Sequence, residues 1–262
     1  MRGEIGHGGM ARVYLADDLA TGTTVAVKIL HPELAASTSA VRFRREILFL
    51  AQLRHPNLLP VLDSGEDSDL LYFVMPYVAG ETLTARLARE GPLALDEALE
   101  VIRAVGRGVD YAHEHGVIHR DIKPANILLD GSHVLLCDFG IARALLRTAN
   151  DVFSSSGLVV GTLEYMSPEQ AGAGDVIDGR ADIYALGCVA FEMLTGELPF
   201  RGQTPQVIIG RHLTEPPRSI RSVRPDVPVH VERAIHAAMA KAPARRPQTA
   251  GAFIDLLDGA AV

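Results

Sequence analysis

His119-Arg120-Asp121-Ile122-Lys123-Pro124-Ala125-Asn126 puts a carboxylate, a cation and an amide on one short loop. Its flanks give that loop a frame. Upstream, Leu95 to Glu114 carries apolar residues at Leu99, Val101, Ile102, Val105, Val109 and Ala112, a spacing that predicts a helix stopped by Gly116. Downstream, Ile127 to Leu129 and Val134 to Leu136 read as a pair of short strands leading into Asp138-Phe139-Gly140. Alone, Asp-Phe-Gly is an ordinary turn tripeptide. Together with the preceding loop and the glycine-rich and lysine motifs nearer the N-terminus, it is no coincidence.

Toward the N-terminus the texture changes. Val13 to Ala16 and Thr24 to Val27 are β-branched or alternating runs bounded by Gly22 and Pro32, and they predict strands. Gly6-His7-Gly8-Gly9-Met10-Ala11 precedes the first of them; glycines let backbone N–H groups approach phosphate oxygens, although a plain hairpin turn uses the same residues. Lys28 closes the second strand. Facing a pocket it needs a carboxylate, because an unpaired buried ammonium is costly, and Glu46 on the helix expected from Ser39 to Leu53 is the candidate. His55-Pro56-Asn57 ends that helix. Further helices are expected over Asp182 to Leu194, which is almost wholly apolar and so buried, Thr204 to His212, Val229 to Ala240 and Thr249 to Leu257, with Pro216 to Pro228 irregular. The implied class is α+β: a small, mostly antiparallel β lobe with one helix (about 1–75), a connector at 76–80, and a larger α-helical lobe (81–262).

Bulk properties narrow the function. The 262 residues carry a net charge of −7, which disfavours sequence-independent nucleic-acid binding. Cys137 and Cys188 are too few for a disulfide framework. No apolar run is long enough to span a bilayer, and no signal peptide opens the chain, so a cytoplasmic protein is expected. His113 and His115 lie two positions apart, which does not share a helix face, so they read with Glu114 as surface groups rather than metal ligands.

Taken together, the motifs resemble the eukaryotic-like (Hanks-type) protein kinase family, closest to its bacterial serine/threonine branch. The resemblance runs from Gly6 to Arg246 and includes Ser167-Pro168-Glu169, Gly161-Thr162, the Asp182 to Gly187 segment and Arg246-Pro247. It implies a two-lobed fold and transfer of the ATP γ-phosphate to Ser/Thr hydroxyls of proteins. Under it, Asp121 orients the substrate hydroxyl and accepts its proton, Lys123 neutralises the phosphate in flight, Lys28 held by Glu46 binds the α- and β-phosphates, and Asn126 and Asp138 hold Mg²⁺, with Mn²⁺ as a substitute. A lysine at 123 is what the Ser/Thr-specific members carry. ATP is further expected to touch Ile5, Gly6, His7, Gly8, Gly9, Met10, Ala11, Val13, Ala26, Leu128 and the segment Met75, Pro76, Val78. Glu169 and Arg246 correspond to a buried ion pair, and Asp182 to a brace accepting N–H bonds from the catalytic loop.

Arg120 before Asp121 marks, in the family, members switched on by a loop phosphate; Ser154 or Ser156 is the expected autophosphorylation site, with Thr148 and Ser155 as alternatives, and self-association in trans as its route. Thr162 is given a structural role. Departures are Ala11 for a glycine, Lys241-Ala242-Pro243 for an Asp-Pro pattern expected to touch only a turn, and a first strand shortened by Met1 lying close to Gly6. That last feature keeps open a nucleotide-binding pseudokinase scaffold. A small-molecule phosphotransferase is disfavoured by the protein-substrate platform around Ser167.

Overall fold

The computed structural model describes residues 1–8, 11–31, 47–67, 70–139, 163–172 and 176–260. Gly9, Met10, Glu46, Gly140, Thr148, Ser154, Ser155, Ser156, Gly161 and Thr162 lie outside the described residues. Those described fall into two units, one within Met1–Ala79 and the other within Gly80–Phe139 and Thr162–Val262.

The first unit is an antiparallel sheet of β1 (Gly3–His7), β2 (Ala11–Asp17), β3 (Thr24–Leu30), β4 (Asp63–Asp67) and β5 (Leu70–Pro76), in spatial order β1-β2-β3-β5-β4. The first strand therefore forms, from Gly3 on, and pairs with β2 through an irregularity between Glu4 and Gly6. Register partners in an antiparallel pair share a face. Val13 and Phe73 flank Lys28, while Leu15 and Met75 flank Ala26, so these residues line one face of the sheet. Residues 47–50 are helical, with Ile47 and Leu50 buried.

The second unit is built on helices: α1 (Leu83–Glu90), α2 (Leu95–Glu114), α3 (Pro168–Ala171), α4 (Arg180–Thr195), α5 (Pro205–Thr214), α6 (Val229–Ala238) and α7 (Ala250–Leu257). A small sheet, β6 (Glu81–Thr82), β7 (Ile127–Asp130) and β8 (His133–Leu136), completes it. Every residue of α4 except Arg180 and Glu192 is buried, as a helix apolar on all sides requires. It packs against α2 and α6. At Gly187 a Cβ would come within 2.9 Å of Ala238 Cβ, so a side chain there would push α6 away. Gly80 is tighter: its Cβ would stand 2.0 Å from the Leu129 carbonyl oxygen, and only glycine lets β6 approach β7. Asp110 of α2 accepts the Ala250 amide at 2.6 Å and so caps α7.

Candidate active site

The loop from His119 to Asn126 is fixed from behind. Asp182, 1% exposed in the first turn of α4, accepts the amides of His119 at 2.8 Å and Arg120 at 2.7 Å. This is the brace that the sequence suggested. It has a third donor that the sequence did not suggest: His113 Nε2 reaches Asp182 Oδ2 at 2.8 Å. The surface reading of His113 is therefore corrected. Its ring is largely covered, and a Cβ on Gly179 would strike its Nδ1 at 2.6 Å.

His119 ties three motifs together. Its Nε2 donates to the Cys137 carbonyl at 2.9 Å, its Nδ1 accepts the Asp121 amide at 3.2 Å, and its ring stands 4.6 Å from that of Phe139. A carbonyl can only accept and an amide can only donate, so this pattern selects the neutral ring protonated on Nε2. Burial also lowers the pKa of His119, outweighing the opposing pull of Asp182. Backbone strain sits here too. Arg120 (φ 66°) and Asp138 (φ 60°) are the non-glycine residues with left-handed φ among those described. Such conformations cost on the order of 1–3 kcal/mol and persist only where the surroundings impose them.

On the loop itself, Lys123 Nζ pairs with Asp121 Oδ2 at 2.8 Å, both side chains being mostly covered. Buried Asn126 ends the 3-10 turn Pro124–Asn126 and donates through Nδ2 to the Asp121 carbonyl at 2.8 Å and to Oδ2 at 3.2 Å. The donation leaves Asn126 Oδ1 as an acceptor. Its backbone carbonyl receives the Cys137 amide at 2.9 Å, which sets Asp138 one residue from that bond. A carboxylate and an amide oxygen suit a hard divalent cation such as Mg²⁺. Among the described residues no group of three or more His, Cys, Asp or Glu side chains is placed to hold a metal ion.

The platform that follows is locked to this loop. Gln170 donates to the Arg120 carbonyl at 2.9 Å while its Oε1 accepts the Ser167 amide at 3.0 Å. Sequence reading passed over Gln170; its position at the third residue after Ser167, where a capping side chain sits, was the available signal. Glu169 and Arg246 form the expected pair, bidentate at 2.6 and 2.7 Å and almost wholly buried.

In the other unit, Lys28 lies on the sheet face with Val13, Ala26 and Met75, its Nζ 5.9 Å from the Phe73 ring centroid. Gly6 pairs with Val13 at the edge of that face, and the Gly8 amide donates to the Ala11 carbonyl at 3.0 Å. Pro76 ends β5, Met75 is buried, and Val78 follows beyond the strand. Ile5 and His7 lie on β1, and Ala11 opens β2. Leu128 belongs to β7 of the second unit, paired with Thr82.

Comparisons with known proteins agree on one family. The family model described as protein kinase domain matches residues 1–256. The chain is 44% identical over 255 residues to the serine/threonine-protein kinase PknB of Mycolicibacterium smegmatis, covering 95% of this chain and 40% of that protein. It is 42% identical to the serine/threonine-protein kinase PrkC of Bacillus subtilis, over 94% of this chain and 38% of that one. The chain thus spans about two fifths of the length of these curated relatives. Among solved structures, the Mycobacterium tuberculosis PknI kinase domain (C20A mutant) matches with a TM-score of 0.78 at 32% identity, over 99% of this chain and 94% of that one. Rad53 1-466 in complex with AMP-PNP matches with a TM-score of 0.80 at 26% identity, over 98% and 64%.

Proposed function

The chain belongs to the protein kinase family, whose members use ATP, and from that premise we propose that it is a serine/threonine protein kinase acting in bacterial signalling. The observation that carries the proposal is the Asp121 carboxylate held at once by Lys123 and Asn126. Phosphoryl transfer needs little covalent help from the protein; it needs a hydroxyl aimed in line at the γ-phosphate and a place for negative charge. Asp121 orients the Ser or Thr hydroxyl and takes its proton as the oxygen attacks. Lys123, held against Asp121, offsets the charge on the transferring group. Lys28 binds the α- and β-phosphates from its sheet face, with Glu46 as its partner.

Ile5, Gly6, His7, Gly8, Gly9, Met10, Ala11 and Val13 cover the nucleotide. Val13, Ala26 and Leu128 enclose the adenine, Met75 guards the back of its pocket, and the backbone of Pro76 and Val78 hydrogen-bonds it, within a lobe at about 1–75, a hinge at 76–80 and a larger lobe at 81–262. Asn126 and Asp138 would hold Mg²⁺, which when bound neutralises phosphate charge. Autophosphorylation at Ser154 or Ser156 accompanies activity, and protein hydroxyls are the substrates. No helix among the described residues is long and apolar enough to cross a membrane.

The test is to incubate the dephosphorylated chain and Asp121→Asn with Mg²⁺ and ATP and to follow intact mass. Successive phosphate additions that disappear in the variant support the reading, with peptide mapping to locate them. ATP binding without transfer, to the chain itself or to a panel of Ser- and Thr-containing proteins, would replace it with a nucleotide-binding scaffold.

A further inference from the structure

The peptide group between Arg120 and Asp121 is held at both ends. Its carbonyl accepts Gln170 Nε2 at 2.9 Å, and its amide donates to His119 Nδ1 at 3.2 Å. One peptide earlier, the Arg120 amide donates to Asp182 Oδ1 at 2.7 Å. Arg120 itself stands at φ 66°, a conformation that arginine keeps only where its surroundings impose it. A peptide group is planar and rigid, so fixing its oxygen and its N–H fixes the direction in which the chain enters Asp121. Beyond that point Asn126 and Lys123 hold the carboxylate.

Gln170 reaches this peptide from α3, 50 residues along the chain, and its amide group can face only one way. The Ser167 N–H donates to Oε1 at 3.0 Å and the Ser167 hydroxyl does so at 3.1 Å, so the oxygen lies on that side. The nitrogen is then left for the Arg120 carbonyl, which can only accept. Turning the amide over would set N–H against N–H at Ser167 and oxygen against oxygen at Arg120. The base of the side chain is fixed as well: Ser167 is buried, and the neighbouring Glu169 is gripped in bidentate fashion by Arg246. Holding the start of α3 asks only for an oxygen at its third position, which glutamate supplies as well as glutamine. What glutamine adds is the nitrogen, and the nitrogen goes to the peptide before Asp121.

We propose that Gln170 is a positioning residue for phosphoryl transfer: through the Arg120–Asp121 peptide it sets where the Asp121 carboxylate stands, so the aim of that carboxylate depends on the seating of α3. The proposal rests on the kinase reading above and gives it a residue that acts through the main chain. Without the Gln170 bond the Arg120 carbonyl loses its donor, the left-handed turn relaxes, and Asp121 shifts relative to the hydroxyl it has to orient. A displacement of about 1 Å at a reacting group costs on the order of 10²-fold in rate. The residues expected to bind ATP make no contact with Gln170, so nucleotide binding is left as it was.

Two variants separate this role from simple capping. Gln170→Met keeps the length of the side chain and removes both its oxygen and its nitrogen; Gln170→Glu keeps an oxygen for Ser167 and removes only the donor. Each full-length variant is compared with the parent for phosphate transfer to an acceptor from the protein panel above, across an ATP titration, at a temperature where all three are folded. The expected result is a fall in kcat of about ten- to hundredfold in both variants, with KM for ATP within about twofold of the parent. Amide hydrogen exchange in peptides covering residues 119–121 should quicken in both, with α7 unchanged as the internal reference. A kcat within about twofold of the parent overturns the proposal and reduces Gln170 to a cap on α3, and so does a fall in kcat matched by a comparable rise in KM for ATP. Should Gln170→Met not fold, Gln170→Glu, which keeps the Ser167 bonds, decides alone. A parent chain that transfers no phosphate defeats the kinase reading instead; exchange at residues 119–121 then judges the contact, and no change there overturns it.

Discussion

His113 and Asp182, 69 residues apart, are joined by a 2.8 Å bond from Nε2 to Oδ2, on the same oxygen that receives the His119 amide. Asp182 thereby gathers three donors: the His119 and Arg120 amides just before Asp121, and the His113 ring that steadies its carboxylate. Removing one hydrogen bond to a charged group costs about 1.5–3 kcal/mol. His113→Ala should lower the denaturation midpoint. Because His113 acts through Asp182 and the loop, it should also cut kcat by about tenfold while leaving KM for ATP nearly unchanged. His113→Gln, which keeps a donor, should recover part of the kcat. Equal kcat in His113→Ala and the parent would reduce His113 to packing.

The Glu169–Arg246 pair predicts a larger loss. With 4% of the Glu169 and 0% of the Arg246 side chain exposed, neither group can be rehydrated if its partner goes. Arg246→Ala should cost about 3–5 kcal/mol in urea denaturation. Arg246 also donates to the carbonyls of Ala240, Arg180 and Lys241, so Arg246→Lys, which lacks the planar fork, should not restore the parent midpoint. A variant within about 1 kcal/mol of the parent would contradict this account.

How much of this was legible in the sequence depends on how local the signal is. The α2 helix forms over Leu95–Glu114 as expected, because its apolar spacing is continuous and Gly116 follows it. Strands β2 and β3 were legible from their alternation, and the Lys28 face follows from strand period and pairing. By contrast, α1 was missed: only Leu83 of its residues is buried, and it is held by ion pairs such as Arg86 with Glu90 at 2.7 Å, which leave little apolar pattern. His113 was misread because its partner is remote, and no local rule pairs a helix-end histidine with a carboxylate so far along the chain. Lys241 was underread for a related reason: the rings of Phe200 and Tyr184 reach it from elsewhere in the chain. Glu46 and the Ser154–Ser156 cluster lie outside the described residues, so their expected roles rest on the motif resemblance.

Acid sensitivity follows from His212. Burial holds its pKa down to about 4, against 6.5 for an unburied ring. Between those values the unfolded chain binds a proton that the folded chain refuses, so stability falls with falling pH. The contribution is fully present above pH 6.5 and is lost progressively toward pH 4, by roughly 3 kcal/mol over the window. His119, whose pKa is also lowered, acts in the same direction. Urea midpoints measured across that range should show a slope that His212→Gln reduces. An unchanged slope in the variant would remove His212 as a cause.

Asn126 carries the last prediction, because one side chain serves two ends. Its Nδ2 restrains Asp121 at 2.8 and 3.2 Å, and its Oδ1 is left as an acceptor for the proposed cation. Asn126→Ala removes both. Asn126→Asp keeps an oxygen but exchanges the donor for a carboxylate beside the Asp121 carboxylate, which the two charges resist. If the amide mattered only as a cation ligand, the aspartate variant should retain most activity at saturating Mg²⁺. If holding Asp121 matters as much, both variants should lose about 10²–10³ in kcat, the scale seen when a preorganised donor is removed from a polar site. The second outcome is expected, because Nδ2 contacts both the main chain and the carboxylate of Asp121. Single-turnover phosphate transfer across a Mg²⁺ titration separates the two: recovery of Asn126→Asp at high Mg²⁺ would assign Asn126 to the cation alone.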